Sequence, residues 1–340
     1  MTSEGRVTLL LAAAAVVFAG LPPASAQRAD PEFRWLSPST WGTMKGVMRD
    51  LQSAADRGYR LVPLPPASFL LLVQKSADSS EPVEYTLAYG GKDMDKQAAV
   101  GYRLVSNFVM VRRKGSTART HQYAEVATRL RQSMEDELRV AVKQGFRVIW
   151  LTSQPILGLR SFLGGVDDTE FVAILERPVE ATQAAPPEYI VLSSLKVATM
   201  QAELQAAADR GYRLLPFEAA WGSTVLLEKA GDVEPIEYLA LSTAKTATMQ
   251  AEIDKASSAG YRFAATLGSG FREFVVVMQR AKGVATRTHE QVLHATTRTG
   301  TLKRESLADL EKGFRVAGLT DFDGFARNPE TVVILERPAR

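Results

Sequence analysis

Six times along the chain a helix-like stretch runs into glycine, an aromatic residue and arginine. The six are Gly58-Tyr59-Arg60, Gly101-Tyr102-Arg103, Gly145-Phe146-Arg147, Gly211-Tyr212-Arg213, Gly260-Tyr261-Arg262 and Gly313-Phe314-Arg315, each followed by an apolar, strand-like segment. Such self-similarity marks an internal repeat, in which each unit is one supersecondary motif that completes its core against its neighbours.

The units also pair at long range. Lys196 to Leu204 matches Lys245 to Ile253 at an offset of 49, which carries Gly211 onto Gly260. An offset of 153 carries Ala54 to Leu61 onto Ala207 to Leu214, and one of 168 carries Arg119-Thr120-His121 onto Arg287-Thr288-His289. Modules one to three therefore match modules four to six, as a duplicated triple. The expected halves are 27–180 and 188–340. The linker, 181–187, lies in the alanine-rich seam from Val179 to Pro187, which ends Pro186-Pro187.

Counting back from each glycine exposes a helix. In module four Met200, Leu204, Ala207 and Ala208 fall on one stripe, as do Val47, Leu51, Ala54 and Ala55 in module one. Thr199 and Thr248 suit the N-cap, with Glu203 and Glu252 in the first turns. The glycine suits a left-handed residue just past the helix, where a β-carbon costs about 1 kcal/mol or more. A strand follows, with Tyr212 and Leu214 on one face and Arg213 and Leu215 on the other. The next strand is continuously apolar, as in Phe274 to Met278 and Val332 to Leu335, which indicates burial on both faces. Another strand precedes each helix, as at Tyr189 to Leu192.

The expected fold is α+β: six tandem β-α-β-β modules in two similar halves. Helices lie outside and mostly antiparallel sheets face inward, as a sandwich or barrel. Two modules depart from the pattern. Module two is short, so its helix near Asp93 to Val100 is expected to be a stub. Module six carries Ser306 and Asp309 where the stripe calls for apolar residues, which predicts a rotated or shortened helix.

The Gly58 to Val62 turn, Gly-Tyr-Arg-Leu-Val, sits between an alanine-rich helix and a hairpin. It resembles a small bacterial domain family with a β-α-β-β unit and a Gly-Trp-Glu-Leu-Val turn. The likeness covers the helix end, turn and hairpin of each module, with arginine where that family has glutamate. It implies a fold; that family's function is unknown, so no activity or site comes with it.

The first 26 residues read as a signal peptide. Val7 to Leu21 is largely apolar but shorter than the roughly 20 residues of a membrane span. Pro22-Pro23 breaks it, and Ala24-Ser25-Ala26 is an A-x-A cleavage site. The mature chain then begins at Gln27, with no membrane span after cleavage. The chain has no cysteine, which excludes disulfides, thiolate metal sites, thiol catalysis and a lipoprotein anchor. Together these point to a periplasmic or secreted bacterial protein. A formal net charge of +3, with both signs interleaved, fits weak attraction to anionic envelope polymers and not nucleic acid.

The repeated arginines Arg60, Arg103, Arg147, Arg213, Arg262 and Arg315 are the candidate ligand-binding residues. A helix-to-strand turn needs glycine and an apolar residue but has no need of arginine, and converging guanidiniums bind carboxylate, phosphate or sulfate by forked hydrogen bonds. The bland alternative is local pairing with Glu176, Glu228 and Glu336. His289 and His294 are five apart, not the four that place two histidines on one metal from a helix, so surface or inter-module hydrogen bonding is expected of the histidines. Asp321-Phe322-Asp323-Gly324 lacks the acidic continuation of a calcium loop, and Gly268-Ser269-Gly270 lacks nucleophile-elbow spacing. The sequence assigns no catalytic residue, cofactor or metal.

Two long hairpin loops, Ser153 to Thr169 and Asp321 to Thr331, occupy equivalent places, the first unusually apolar. The sequence thus favours a non-enzymatic exported binding or scaffold protein, whose partner is a protein or an anionic envelope polymer. Two alternatives stay open. One is an enzyme with its site between the halves, using Arg147 or Arg315 with His121 or His289. The other is an inhibitor or envelope-complex subunit acting through the long loops.

Overall fold

The structure, a computed structural model, describes residues 33–36, 44–64, 70–76, 81–106, 108–155, 169–180, 185–216, 224–229, 231, 234–267, 273–283, 285–322 and 330–339. Pro31–Arg340 forms one compact unit. The expected signal peptide at 1–26, 181–184, 156–168, 323–329 and Gly268-Ser269-Gly270 lie outside the described residues.

Module one runs β1 (Phe33–Leu36), α1 (Met44–Asp56), β2 (Tyr59–Leu61) and β3 (Leu71–Lys75). Module two runs β4 (Val83–Leu87), α2 (Gly90–Ala98), β5 (Arg103–Ser106) and β6 (Val109–Arg113). Module three has β7 (His121–Thr128), α3 (Arg131–Lys143), β8 (Arg147–Pro155) and β9 (Thr169–Pro178). Module four has β10 (Tyr189–Ser193), α4 (Val197–Asp209), β11 (Tyr212–Leu214) and β12 (Thr224–Lys229). Module five follows with β13 (Ile236–Thr243), α5 (Thr246–Ser258), β14 (Arg262–Leu267) and β15 (Phe274–Ala281). Module six ends the chain with β16 (His289–Thr296), α6 (Thr299–Glu311), β17 (Arg315–Phe322) and β18 (Glu330–Pro338). The chain is therefore mixed α+β, with six three-stranded antiparallel sheets, each ordered first, third, second.

Each turn glycine has positive φ, between 86° at Gly145 and 92° at Gly101. In module five Gly260 N–H donates to Ser257 O at 2.9 Å and Tyr261 N–H to Ala256 O at 3.1 Å. That pair of bonds is the Schellman cap, which only a left-handed residue can close. The helix starts differ from expectation. The N-cap residues of α4 and α5 are Lys196 and Lys245, with no side-chain cap, and neither first turn holds an acid. Thr248 sits inside the first turn and returns its hydroxyl to Lys245 O at 2.9 Å, a local bond that competes with capping. Module two's helix is the short one, nine residues against thirteen in the others. The helix of module six is neither rotated nor shortened: Ser306 and Asp309 stay on its buried face, each with a polar partner.

The six cores form a cycle. One core joins the α4 stripe to Val225 and Leu227 of its own sheet and to Tyr238, Val275 and Val277 of the next. Alternate residues of β15, namely Phe274, Val276 and Met278, enter a different core with α5 and module six. Each central strand is thus buried on both faces, which is why its sequence does not alternate. Other cores join module one to two, two to three, and three to four. The last unites Leu302 and Leu310 of α6 with Trp35 and Leu72 of module one. Each helix therefore shares a core with two sheets, its own and the following one, so that helix and sheet layers alternate around the cycle.

Hydrogen bonds reinforce these junctions at both sheet edges. The N–H after the turn arginine donates to a tyrosine of the next module: Leu61 to Tyr85 at 3.1 Å, Leu104 to Tyr123 at 2.9 Å, Val148 to Tyr189 at 3.1 Å and Leu214 to Tyr238 at 2.7 Å. Helix side chains pair with the first strand of the next module. Gln52 bridges Val83 O and Tyr85 N, and Gln250 bridges Gln291 O and Leu293 N. Edge strands that would otherwise invite pairing with another chain are satisfied in this way.

Candidate functional site

The turn arginines are tethered by the chemistry that the next module offers. Arg60 Nη1 donates to Tyr59 O at 2.8 Å and its Nη2 to Glu81 O; Arg213 makes the equivalent bonds to Tyr212 O at 3.0 Å and to Glu234 O. In these modules the arginine ties its own turn to the chain entering the next module. Arg103 instead reaches across to Glu176 of module three at 3.2 Å, and Arg315 pairs with Glu336 of its own module at 2.8 Å. Arg147 and Arg262 are exposed and make no hydrogen bond or ion pair among the described residues. Two of the six thus pair with a carboxylate and two bond to carbonyls, while Glu228 and Glu176 stand beside Arg213 and Arg147 in strand register.

Two equivalent clusters gather at the junctions of modules two with three and five with six. In the first, the carboxylate of Glu176 accepts from Tyr123 OH at 2.6 Å and pairs with Arg103 at 3.2 Å, with His121 Nε2 at 3.7 Å.

 The Glu176 side chain is itself only 12% exposed. Burial holds the His121 pKa below its ordinary value, against the pull of Glu176 and with help from Arg103. Burial also raises the Tyr123 phenol, as do the Glu176 charge and hydrogen bond. In the second cluster Glu336 takes the place of Glu176 and Gln291 that of Tyr123, and one Glu336 oxygen is left buried with no partner. His289 is likewise held down by burial, against Glu336 and with Arg262 and Arg315 adding to the effect. Each histidine also faces the threonine before it, Thr120 at 2.9 Å and Thr288 at 3.0 Å. Arginine, histidine and carboxylate therefore do meet, but within each half and twice over.

A second set of arginines escaped the sequence reading. Arg112, Arg177, Arg280 and Arg337 stand at the far end of the central strands. Their guanidiniums lie over Tyr102, Phe146, Tyr261 and Phe314, between 4.4 and 4.6 Å from the ring centres. Each also donates to a carbonyl at the helix end, such as Ala259 O from Arg280 at 2.7 Å and Lys312 O from Arg337 at 3.1 Å. Three of them hold a first-strand glutamate: Glu84, Glu237 and Glu290. The available signal was the arginine in Glu176-Arg177-Pro178 and Glu336-Arg337-Pro338.

The junction of modules two and three also forms a solvent-open pocket of about 210 Å³. Leu64, Leu104, Val105 and Ile149 supply apolar wall; Arg103, Glu176 and Ser106 supply polar groups; Trp150 completes it. Trp150 is 5% exposed, packs edge-on against Phe108 at 4.5 Å, and its indole N–H has no acceptor. Leaving such a donor unmet costs about 1–3 kcal/mol. Bulges in β5 after Leu104 and in β8 after Val148 shape this wall. At the corresponding point of modules five and six a different pair of residues packs. Gly318 stands five residues after Gly313, as Trp150 stands five after Gly145, and Phe263 stands three after Gly260, as Leu104 stands three after Gly101. The Phe263 ring occupies the space over Gly318, where an added Cβ would lie 2.5 Å from its Cζ.

No cluster of three or more histidine, aspartate or glutamate side chains suited to a metal occurs among the described residues, and none of their helices is long and apolar enough to cross a membrane. Asp321 and Phe322 belong to β17, where Thr331 donates to Asp321 at 2.8 Å. Compared with family models, curated proteins and solved structures, the chain has no significant match.

Proposed function

We propose that the chain is an exported, non-enzymatic binding protein, built from six β-α-β-β modules in two similar halves, that takes an anionic ligand. The observation that carries this reading is the pocket beside Arg103 at the junction of modules two and three. Export rests on the signal-like first 26 residues. The enzyme alternative draws on the Arg103, His121 and Glu176 cluster. Its repetition at Arg315, His289 and Glu336 suits a structural junction better than a single catalytic site.

The test has two arms. Fractionation of cells expressing the full chain and a form lacking residues 1–26 should find only the full chain outside the cytoplasm. Incubation of residues 27–340 with small carboxylates and with dextran sulfate, followed by NMR, should show binding with every ligand recovered unchanged. Retention of the full chain in the cytoplasm overturns export, and a converted ligand overturns the non-enzymatic reading.

A further inference from the structure

We infer that the first strand of module one is an open sheet edge that binds an extended acidic peptide, pairing with it as a further strand. The site is separate from the pocket beside Arg103 and goes beyond the reading drawn from it. At the other five junctions the preceding helix closes the outer edge of the first strand. The residue six before the turn glycine accepts from the N–H in the tyrosine position: Gln52 from Tyr85 at 3.1 Å, Asp95 from Tyr123 at 3.0 Å and Gln205 from Tyr238 at 3.0 Å. The residue ten before the glycine accepts from the N–H two further on: Glu135 from Val191 at 2.9 Å and Gln250 from Leu293 at 2.6 Å. The helix that shares a core with β1 is α6, and there these two places hold Leu307 and Lys303. Leucine has no acceptor, and an ammonium only donates. The common register turns the N–H groups of Phe33 and Trp35 toward α6, and neither finds an acceptor among the described residues.

A groove of about 400 Å³ lies along this edge. All four residues of β1 line it, with Lys303 and Leu307 on the α6 side and Asp50 and Arg57 on the α1 side. That volume falls in the roughly 300–1,000 Å³ range of ligand sites. A strand added to such an edge draws affinity from backbone hydrogen bonds and specificity from alternate side chains.

The charge of the groove sets the class of peptide. Arg34, Arg57 and Lys303 line it against one acid, Asp50, which pairs with Arg49 at 3.6 Å. Arg57 donates from Nε to Ser53 O at 3.1 Å, and its two Nη groups have no partner among the described residues. Burial holds the Lys303 ammonium below its ordinary pKa, and a carboxylate alongside would relieve that. Glutamates at alternate positions of an added strand would meet these cations. A second copy of β1 would instead bring Arg34 toward another Arg34, and like charges across a strand pair disfavour self-pairing.

The test is an NMR titration of residues 27–340 with three blocked hexapeptides. One alternates glutamate and valine, one alternates lysine and valine, and the third is the glutamate peptide with methylated backbone nitrogens. The glutamate peptide should shift the Phe33 and Trp35 amides saturably and slow their exchange with solvent. It should bind about tenfold or more tightly than either control. Leu307→Gln supplies the acceptor that Gln52 and Gln205 provide elsewhere, keeps the charge, and should weaken binding about tenfold. Lys303→Gln, which copies Gln250, gives the same reading if Leu307→Gln fails to fold. Arg57→Gln leaves the edge open and should also weaken the glutamate peptide about tenfold. No saturable shift with the glutamate peptide, equal binding of either control, or unchanged binding to Leu307→Gln overturns the proposal. Sedimentation of the free chain as a dimer, or slow exchange at Phe33 and Trp35 before peptide is added, shows the edge already covered and overturns it as well. None of these outcomes bears on the pocket beside Arg103.

Discussion

Replacing Arg337 with alanine should be among the most damaging changes outside the apolar cores. Its guanidinium lies 4.4 Å from the Phe314 ring centre, donates to Lys312 O at 3.1 Å and donates to Glu290 at 2.7 Å. It thereby fastens the last turn of α6 and the first strand to the third. The stacking is worth about 0.5–2 kcal/mol. Hydrogen bonds to a charged group contribute about 1.5–3 kcal/mol, reduced here because the side chain is 20% exposed. The expected loss is about 3 kcal/mol, read from urea denaturation followed by circular dichroism. Arg139→Ala, which removes a pair with both side chains more than half exposed, should cost at most about 0.5 kcal/mol. Arg337→Lys should recover part of the loss, because module four places Lys229 at this point, 5.6 Å from the Tyr212 ring centre and 3.0 Å from Glu188. A double-mutant cycle with Phe314→Leu should give a coupling of about 0.5–2 kcal/mol. A cost for Arg337→Ala no larger than that for Arg139→Ala refutes the clamp.

Gly145→Ala and Gly313→Ala should each cost about 1–2 kcal/mol from the left-handed backbone alone, since nothing lies within 4 Å of either new Cβ. Gly101→Ala should cost more in the same denaturation assay, because its Cβ would meet Ser116 O at 2.8 Å. Arg315→Ala strands Glu336, which is 6% exposed, and should cost about 3 kcal/mol, whereas Arg147→Ala should stay within about 0.5 kcal/mol; similar melting temperatures for the two would contradict the pairing. His121 and His289 have folded pKa values below 6.5, so their share of stability is present above pH 6.5 and is lost as pH falls toward the folded values. His121→Gln with His289→Gln should flatten that acid limb. Burial, and then the bond to Glu188, push the Tyr212 phenol up to about 12, so stability should fall as pH rises through the unfolded value of 10.0, and Tyr212→Phe should soften the fall.

The parts of the fold legible in the sequence were those fixed by neighbours along the chain. A left-handed residue after a helix is a local demand, and all six turn glycines meet it. The Met200, Leu204, Ala207 and Ala208 stripe reads directly as a buried face. The continuous run from Phe274 to Met278 reads as a strand covered on both sides. The N-caps misled because threonine serves equally well within a first turn, bonding backward as Thr248 does. What could not be read depends on residues distant in sequence. Gln52 and Gln250 look like a solvated helix face, yet they complete the edge of the next sheet. Arg103 looks like its five counterparts, and its partner Glu176 lies 73 residues on. The pocket is lined by residues as far apart as Leu64 and Glu176, and no single stretch records it.

Module six shows how the cycle of cores closes on itself. At four junctions a tyrosine accepts the N–H that follows the turn arginine. The two junctions that flank module six use other chemistry. Gln291 stands in the tyrosine position of module six and accepts from Ser257 at 2.7 Å. In module one the strand register puts Phe33 there, and Trp35, two residues on along the same face, donates its indole N–H to Ser306 at 2.9 Å. An indole can only donate, so it needs an acceptor on the buried face of the facing helix. Ser306 provides that acceptor, and its own hydrogen returns to Leu302 O at 2.6 Å. Trp35 thereby gives the buried Ser306 hydroxyl a second partner. The residue that appears out of place in module six is matched by one 271 positions away, at the other end of the repeat. A linear array would have left both ends to face water, and neither a buried serine in the last helix nor a buried tryptophan in the first strand would then have a physical reason.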